Sequence, residues 1–276
     1  MRTAIPLGLC ALTVIAGVVS ASPVSPVFLG TQGTTLYRVT GSDIETFTLD
    51  DDITALSTAP DGTVWGTSLS DDDGDGLREL YTLENPLGDN PTLSLAGDFL
   101  EENTPSISFI GDVMYAFQKN PETPPDTGVL AIIDPDSQSQ ALVGDTGSTG
   151  IAPGGSAYDP VNDILYAMIK HGDGELLSVD YDLEAGTDPT ATSLGALNLD
   201  FGNNGGEYFD GALYMLAQYV VDGPLALGVI DPDTAAYTEL LVIGPPAKAP
   251  VGLAIVPEPT PLIILSVIGL AAFRRR

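Results

Sequence analysis

A strand-and-turn pattern that returns every 44 to 51 residues, with four strands to each period, predicts an all-β fold, and specifically a β-propeller. A second observation sets the number of blades. Between Val24 and Val256 there are four complete periods, three strands left over at the start and one at the end. The leftovers complete a fifth blade and join the two ends of the chain in one sheet. A third observation is negative: helical periodicity is nearly absent from this stretch, which is built from short runs of Val, Ile, Leu, Tyr, Phe and Thr broken by Gly, Pro, Asp and Asn.

The elements follow in chain order. Strands near Val27–Thr31, Thr35–Val39 and Ile44–Leu49 open the chain and belong to the composite blade. Complete blades are expected over 53–98, 105–145, 154–197 and 205–243. Each starts with an innermost strand and a turn, as in Ala55-Leu56-Ser57-Thr58-Ala59-Pro60-Asp61-Gly62 and Gly155-Ser156-Ala157-Tyr158-Asp159-Pro160. A second strand of the Leu-Tyr-Ala kind follows. The third strand begins at Leu80, Leu130, Leu176 and Leu227, matching Leu36 in the composite blade, in steps of 44, 50, 46 and 51 residues. Asp134-Pro135-Asp136-Ser137 and Asp231-Pro232-Asp233-Thr234 fall at matching places after it. There Asp accepts backbone N–H groups and Pro presets φ, so both read as turns. The fourth strand is the outermost. Val251–Val256 closes the composite blade as its innermost strand. The order of strands within a blade resembles WD-repeat and NHL-type blades. A pair of β-sandwiches is the structural alternative, because its strands share the same local grammar. The recurring Tyr37, Tyr81, Tyr115, Tyr166 and Tyr214 are expected to pack between blades.

The two ends read as addresses. Residues 1–21 have the form of a secretory signal peptide: Arg2, an apolar stretch from Ile5 to Val19, and small residues at Val19-Ser20-Ala21. The apolar stretch is short for a bilayer span. The segment 257–276 has three parts: Pro257-Glu258-Pro259, an apolar run from Leu262 to Phe273 expected to be a short helix, and Arg274-Arg275-Arg276. Twelve residues of helix reach only about 18 Å, marginal for a permanent anchor, and terminal arginines stay on the cytoplasmic side. This tail resembles the PEP-CTERM sorting signal of Gram-negative bacteria. The resemblance covers the last twenty residues. It implies export through the Sec machinery, transient anchoring in the inner membrane, processing by an exosortase-type enzyme, and delivery to the cell surface or extracellular polymer layer. It implies nothing about the activity of the domain at 22–256.

Charge narrows the partners. The chain carries 9 Lys+Arg against 38 Asp+Glu, a formal net charge of −29. Losing both ends removes Arg2 and Arg274 to Arg276, leaving Arg38, Arg78, Lys119, Lys170 and Lys248. Such a surface attracts cations and repels nucleic acid, which needs Lys and Arg for its phosphates. The single Cys, Cys10, lies in the leader, so a disulfide framework and a Cys-based zinc site are excluded.

The densest constellation is Asp71-Asp72-Asp73-Gly74-Asp75-Gly76-Leu77-Arg78-Glu79. Asp71, Asp73 and Asp75 alternate before Gly76 as in the first half of a calcium loop. The twelfth position is Thr82 instead of a bidentate Glu, and Glu79 at the ninth could substitute in part. A solvated acidic hairpin is the competing reading. The lone His171 excludes a multi-His zinc site, and no G-x-S-x-G elbow supports a Ser-His-Asp triad. Glu207, Asn203 and Asn204 lie where a calcium-dependent propeller lactonase places its ligands, but no full set repeats across the blades. No catalytic residue or organic cofactor is expected. The reading is a non-catalytic binding or matrix protein, with calcium its one candidate metal and extracellular polysaccharide a candidate partner. A lactonase- or glycosidase-like hydrolase and a purely structural component are the alternatives. Its ligand is expected on the face that carries Asp50–Asp52, Asp71–Glu79, Asp98–Thr104, Pro121–Thr127, Asp145–Gly155 and Phe201–Gly205.

Overall fold

The computed structural model describes residues 26–68, 71, 74–101, 103–120, 127–149, 153–169, 174–181, 187–198, 204–218, 223–245 and 251–258. The segment 1–21 expected as a leader, the apolar run expected as a C-terminal helix, and Pro259 and Arg274 to Arg276 lie outside them. No helix among the described residues is long and apolar enough to cross a membrane.

The chain opens with β1 (Pro26–Gln32), β2 (Thr35–Thr40) and β3 (Asp43–Thr48). Blade I is β4 (Ile53–Thr58), β5 (Val64–Ser68), β6 (Arg78–Glu84) and β7 (Thr92–Leu100). Blade II is β8 (Ser106–Ile110), β9 (Val113–Asn120), β10 (Thr127–Asp134) and β11 (Ser139–Thr149). Blade III is β12 (Pro153–Asp159), β13 (Ile164–Ile169), β14 (Glu175–Val179) and β15 (Ala191–Ala196). Blade IV is β16 (Asn204–Phe209), β17 (Ala212–Gln218), β18 (Leu225–Asp231) and β19 (Ala236–Gly244). The last strand, β20 (Leu253–Pro257), pairs antiparallel with β1, Pro257 opposite Pro26 and Leu253 opposite Gly30. The order β20-β1-β2-β3 makes the composite blade V, as the sequence predicts. The strand limits differ from the expected ones by a few residues. Regular pairing begins at Leu253, although the Gly252 carbonyl already accepts the Thr31 amide at 3.0 Å.

Local chemistry forms the blades. Phe209 faces Ala212 across Asp210-Gly211, both at positive φ (48° and 83°), the two-residue turn that suits the right-handed twist of a hairpin. In the Asp-Pro turns, Asp134 Oδ1 accepts the amides of Asp136 and Ser137, and Asp231 Oδ1 accepts that of Asp233. The outermost strands are largely exposed and hold most of the exposed large apolar side chains, including Leu95, Leu142 and Leu240.

Closure of the ring is an energetic fact as well as a topological one. A twisted four-stranded sheet has two apolar faces and must bury both against neighbours. Five buried clusters do this, one at each blade junction: Leu80 with Met114 between I and II, Phe117 with Leu165 between II and III, Met168 with Met215 between III and IV, Leu216 with Leu253 between IV and V, and Leu29 with Leu56 between V and I. Of the recurring tyrosines, Tyr37 and Tyr166 are buried and the others half-buried, in keeping with packing between blades. Arg38 adds a polar clamp at the V–I junction. It pairs with Glu45 at 2.7 Å, donates to the carbonyls of Pro86 and Gly88 in blade I, and lies over the Phe47 ring.

Candidate functional site

Alternating strand directions give the ring two faces. The loops β5–β6, β9–β10, β13–β14 and β17–β18 and the inter-blade connections share one, here called the loop face. The tight turns that follow the first and third strands of each blade share the other, the turn face. The sequence placed a ligand on the loop face, and much of that face, 121–126, 150–152 and 201–203 among it, lies outside the described residues.

The predicted calcium residues sit on that face, between β5 and β6. Asp71 accepts the Gly74 amide at 2.7 Å through Oδ1 and the Gly76 amide at 3.0 Å through Oδ2, with Arg78 Nη1 3.8 Å from Oδ2. Asp75 accepts the Leu77 amide at 2.8 Å. Glu79 is buried in the blade and accepts the Ser68 hydroxyl. Asp71 and Asp75 therefore brace the bend of this loop, and Glu79 is engaged at its base. Asp73 falls outside the described residues, as do His171 and Asn203. Among the described residues no group of three or more His, Cys, Asp or Glu is arranged to hold a metal ion.

The channel is narrow for a backbone reason. Strands β20, β4, β8, β12 and β16 surround it in that cyclic order. Near their first residues glycines bring the strands almost into contact. A Cβ on Gly155 would stand 2.7 Å from the Gly206 amide nitrogen, and one on Gly205 would stand 2.6 Å from that of Leu253. At the level of Ala55, Ser106, Gly155, Gly206 and Leu253 no water-sized space is left. Further along, the Ser156 hydroxyl bonds Ser106 and Ser108.

Glu207 reaches past its neighbouring inner strand. From β16 its Oε2 accepts the Ser57 hydroxyl at 3.0 Å and the Thr58 amide at 3.3 Å, bypassing the intervening β20. Burial pushes this carboxyl up to about 8, against the pull of the Ser57, Thr58 and Tyr208 hydrogen bonds. The sign of the consequence is fixed. Between its ordinary value of 4.5 and about 8 the folded state keeps a proton that the unfolded chain releases. The stability it contributes is complete below 4.5 and is lost as pH rises through 8. Glu207→Gln removes this dependence. In urea titrations the variant is expected to lie close to the parent at pH 5 and to exceed it by a few kcal/mol, at most about 4, at pH 9. Parallel curves at all pH values would refute it.

Three hollows open on the turn face. A 240 Å³ hollow at the channel mouth is lined by Glu207, Tyr208, Thr58 and Pro257. A second, of 410 Å³, lies on blade III between Tyr181, Asp163 and Asp180. The Tyr181 and Tyr158 hydroxyls both donate to Asp163, holding its carboxyl below the usual range. The largest, 510 Å³, lies at the junction of blades I and II and shares Ala59 and Pro60 with the first. Trp65 and Phe109, half-buried on the apolar cluster below, line this hollow, and Asp61, Asp112, Asp134 and Asp136 stand on the three turns that border it. Asp61 accepts the Thr63 amide and Asp134 the amide and hydroxyl of Ser137, and these bonds hold both carboxyls below their ordinary range. Sequence reasoning took Asp134 and Asp136 for turn formers, which they are. It missed the hollow, whose walls come from separate blades. A usable signal was the chain's single Trp three residues after the Asp61-Gly62 turn.

No family model matches the chain, and no curated protein matches it in sequence. Solved structures match it in shape. TolB from Acinetobacter baumannii aligns with a TM-score of 0.50 at 13% identity, over 88% of this chain and 69% of its own. A protein of unknown function from Bacteroides thetaiotaomicron (TM-score 0.44, 13% identity) aligns over 75% of this chain and 56% of its own. The Malassezia sympodialis allergen Mala s 1 (TM-score 0.44, 13% identity) aligns over 78% and 75%. At such identities the likeness is one of fold.

Proposed function

We propose that the chain is an exported, surface-sorted β-propeller that binds a component of the cell envelope or extracellular polymer layer without transforming it. The observation that carries this reading is the contrast between a channel shut by glycine packing and open, aromatic-and-carboxylate hollows on the turn face. A lactonase-like hydrolase would use metal ligands around an open channel. A glycosidase-like one would need two carboxyls, one of them protonated near neutral pH. In the largest hollow Asp61 and Asp134 are shifted the opposite way. Glu207 has the raised value an acid needs, and this single observation favours the hydrolase alternative, but its hollow is lined by no second carboxyl.

Sorting rests on the sequence: Pro257-Glu258-Pro259 and Arg274-Arg275-Arg276 are the residues an exosortase-type enzyme would read after Sec export. The geometry is compatible with cutting at both ends. Pro26 faces Pro257, so both tails leave from one point at the turn face, outside the strands they follow or precede. The test is incubation of the purified protein with isolated extracellular polymer. Retention of polymer with no release of new reducing ends or opened lactone is the expected result. Product release would overturn the binding reading in favour of the hydrolase, and no retention would overturn it in favour of a structural component.

A further inference from the structure

We infer that the hollow between blades I and II binds a positively charged amino sugar, a hexosamine unit with a free ammonium group, within an extracellular polymer. The inference rests on the binding reading above and names its ligand class.

The walls have two characters. Trp65 and Phe109 present aromatic surface over an apolar floor, the surface on which the C–H face of a sugar ring or a cation settles. The border is made of carboxylates: Asp61 on the β4–β5 turn, Asp112 on the β8–β9 turn, Asp134 and Asp136 on the β10–β11 turn. No Lys, Arg or His lines the hollow. The ion pairs Arg38–Glu45 and Arg78–Asp71 both lie elsewhere. A neutral sugar is met by mixed donors and acceptors. Here the charged side chains only accept, so the ligand must donate, and the strongest donor is an ammonium group. A net charge of −29 raises the local concentration of any cation.

Size separates a sugar from the other organic cations. A volume of 510 Å³ falls in the range of small-molecule sites and suits a ring or two, whereas a single lysine side chain would leave most of it empty. Repetition points the same way. The blade III hollow, with Tyr181 beside Asp163 and Asp180, repeats the aromatic-plus-carboxylate pattern on the same face. Two such hollows suit a ligand that itself repeats, and linked sites gain from it.

The chain supplies its own probe. Trp65 is the only tryptophan of the protein and lines the hollow, so its fluorescence reports occupancy directly. The full-length protein is titrated with glucosamine hexasaccharide, its fully N-acetylated counterpart, and a lysine hexapeptide of equal charge. The expected result is saturable fluorescence change with the free-amine sugar and affinity lower by about tenfold or more for the acetylated sugar and the peptide. Asp112→Asn with Asp136→Asn should weaken the sugar by about tenfold. Both residues are exposed on turns, so the fold is retained. Asp43→Asn with Asp89→Asn, exposed elsewhere, removes the same charge and should leave binding unchanged. Equal binding of the acetylated sugar overturns the inference while leaving the binding reading intact. Tighter binding of the peptide overturns it in favour of a basic polypeptide. Equal losses in the two double variants reduce it to general attraction of cations. Cleavage of either sugar refutes the binding reading itself.

Discussion

Gly252→Val is expected to prevent the ring from closing. A Cβ at this position would lie 2.5 Å from the Leu56 nitrogen and 2.7 Å from the Ala55 carbonyl carbon. Both are backbone atoms of the neighbouring innermost strand, so no rotamer change relieves the contact. Blade V would have to move away from blade I, opening the cluster that holds Leu29, Ile53, Leu56 and Ala254. Ordinary overpacking costs about 1–3 kcal/mol. Here backbone meets backbone and two more branch carbons follow, so a loss above about 4 kcal/mol is expected, a large share of a domain's total stability. Gly111→Ala is the control. Nothing lies within 4 Å of its Cβ, and its φ of 58° sets a cost of about 1 kcal/mol. Urea midpoints measure both. A Gly252→Val variant as stable as Gly111→Ala would mean that β20 and β4 do not approach as described.

These glycines also mark how far the sequence could be read. The blade period, the composite fifth blade and the Asp-Pro turns after the third strands were legible, because each depends on residues close together in the chain. Alternating apolar positions declare a strand, and Asp134-Pro135-Asp136 declares a turn, wherever the segment lies. The glycines of the channel were visible only as letters. That Gly155 leans on Gly206, Gly205 on Leu253 and Gly252 on Leu56 depends on how far each blade is rotated against the next, and no local pattern encodes that rotation. Glu207 was singled out for its region, near the start of an innermost strand, and not for the contacts it makes. Its partners Ser57 and Thr58 are about 150 positions away, and its raised pKa comes from burial in the assembled ring, against the pull of those hydrogen bonds. The acidic loop shows a different limit. The spacing of Asp71 and Asp75 that resembles a calcium loop is also the spacing with which carboxylates accept their own loop's amides. One pattern serves both uses. The hollow at Trp65 needed turns from two blades, so it became visible only once the ring was assembled.

Removing residues 251–276 is expected to abolish cooperative folding, whereas removing 259–276 leaves it intact. The two truncations differ by eight residues, which include all of β20. Val251, Leu253, Ala254, Ile255 and Val256 are all buried, Val251 and Leu253 on the cluster facing blade IV and Ala254 and Val256 on the one facing blade I. At about 1.5–3 kcal/mol for each large apolar side chain, their burial is comparable to the whole stability of a domain. Their loss would also bare Val27 and Leu29 and leave β1 with an unpaired edge over five residue pairs. The blade cannot be completed from elsewhere, because β1 takes β20 as its neighbour and every other strand is committed to its own sheet. Circular dichroism melts and limited proteolysis separate the outcomes: one sharp transition and a protected core for the 1–258 chain, a broad transition and rapid digestion for the 1–250 chain. Comparable melting of the two would show that four blades hold the ring without the strand that joins its ends. The same geometry bears on sorting. A processing cut beyond Glu258 falls outside the last strand and costs the ring nothing, whereas one before Leu253 would release a chain that cannot stay folded. The proposed sorting is compatible with a folded ring only if its cut falls on the tail side of Pro257.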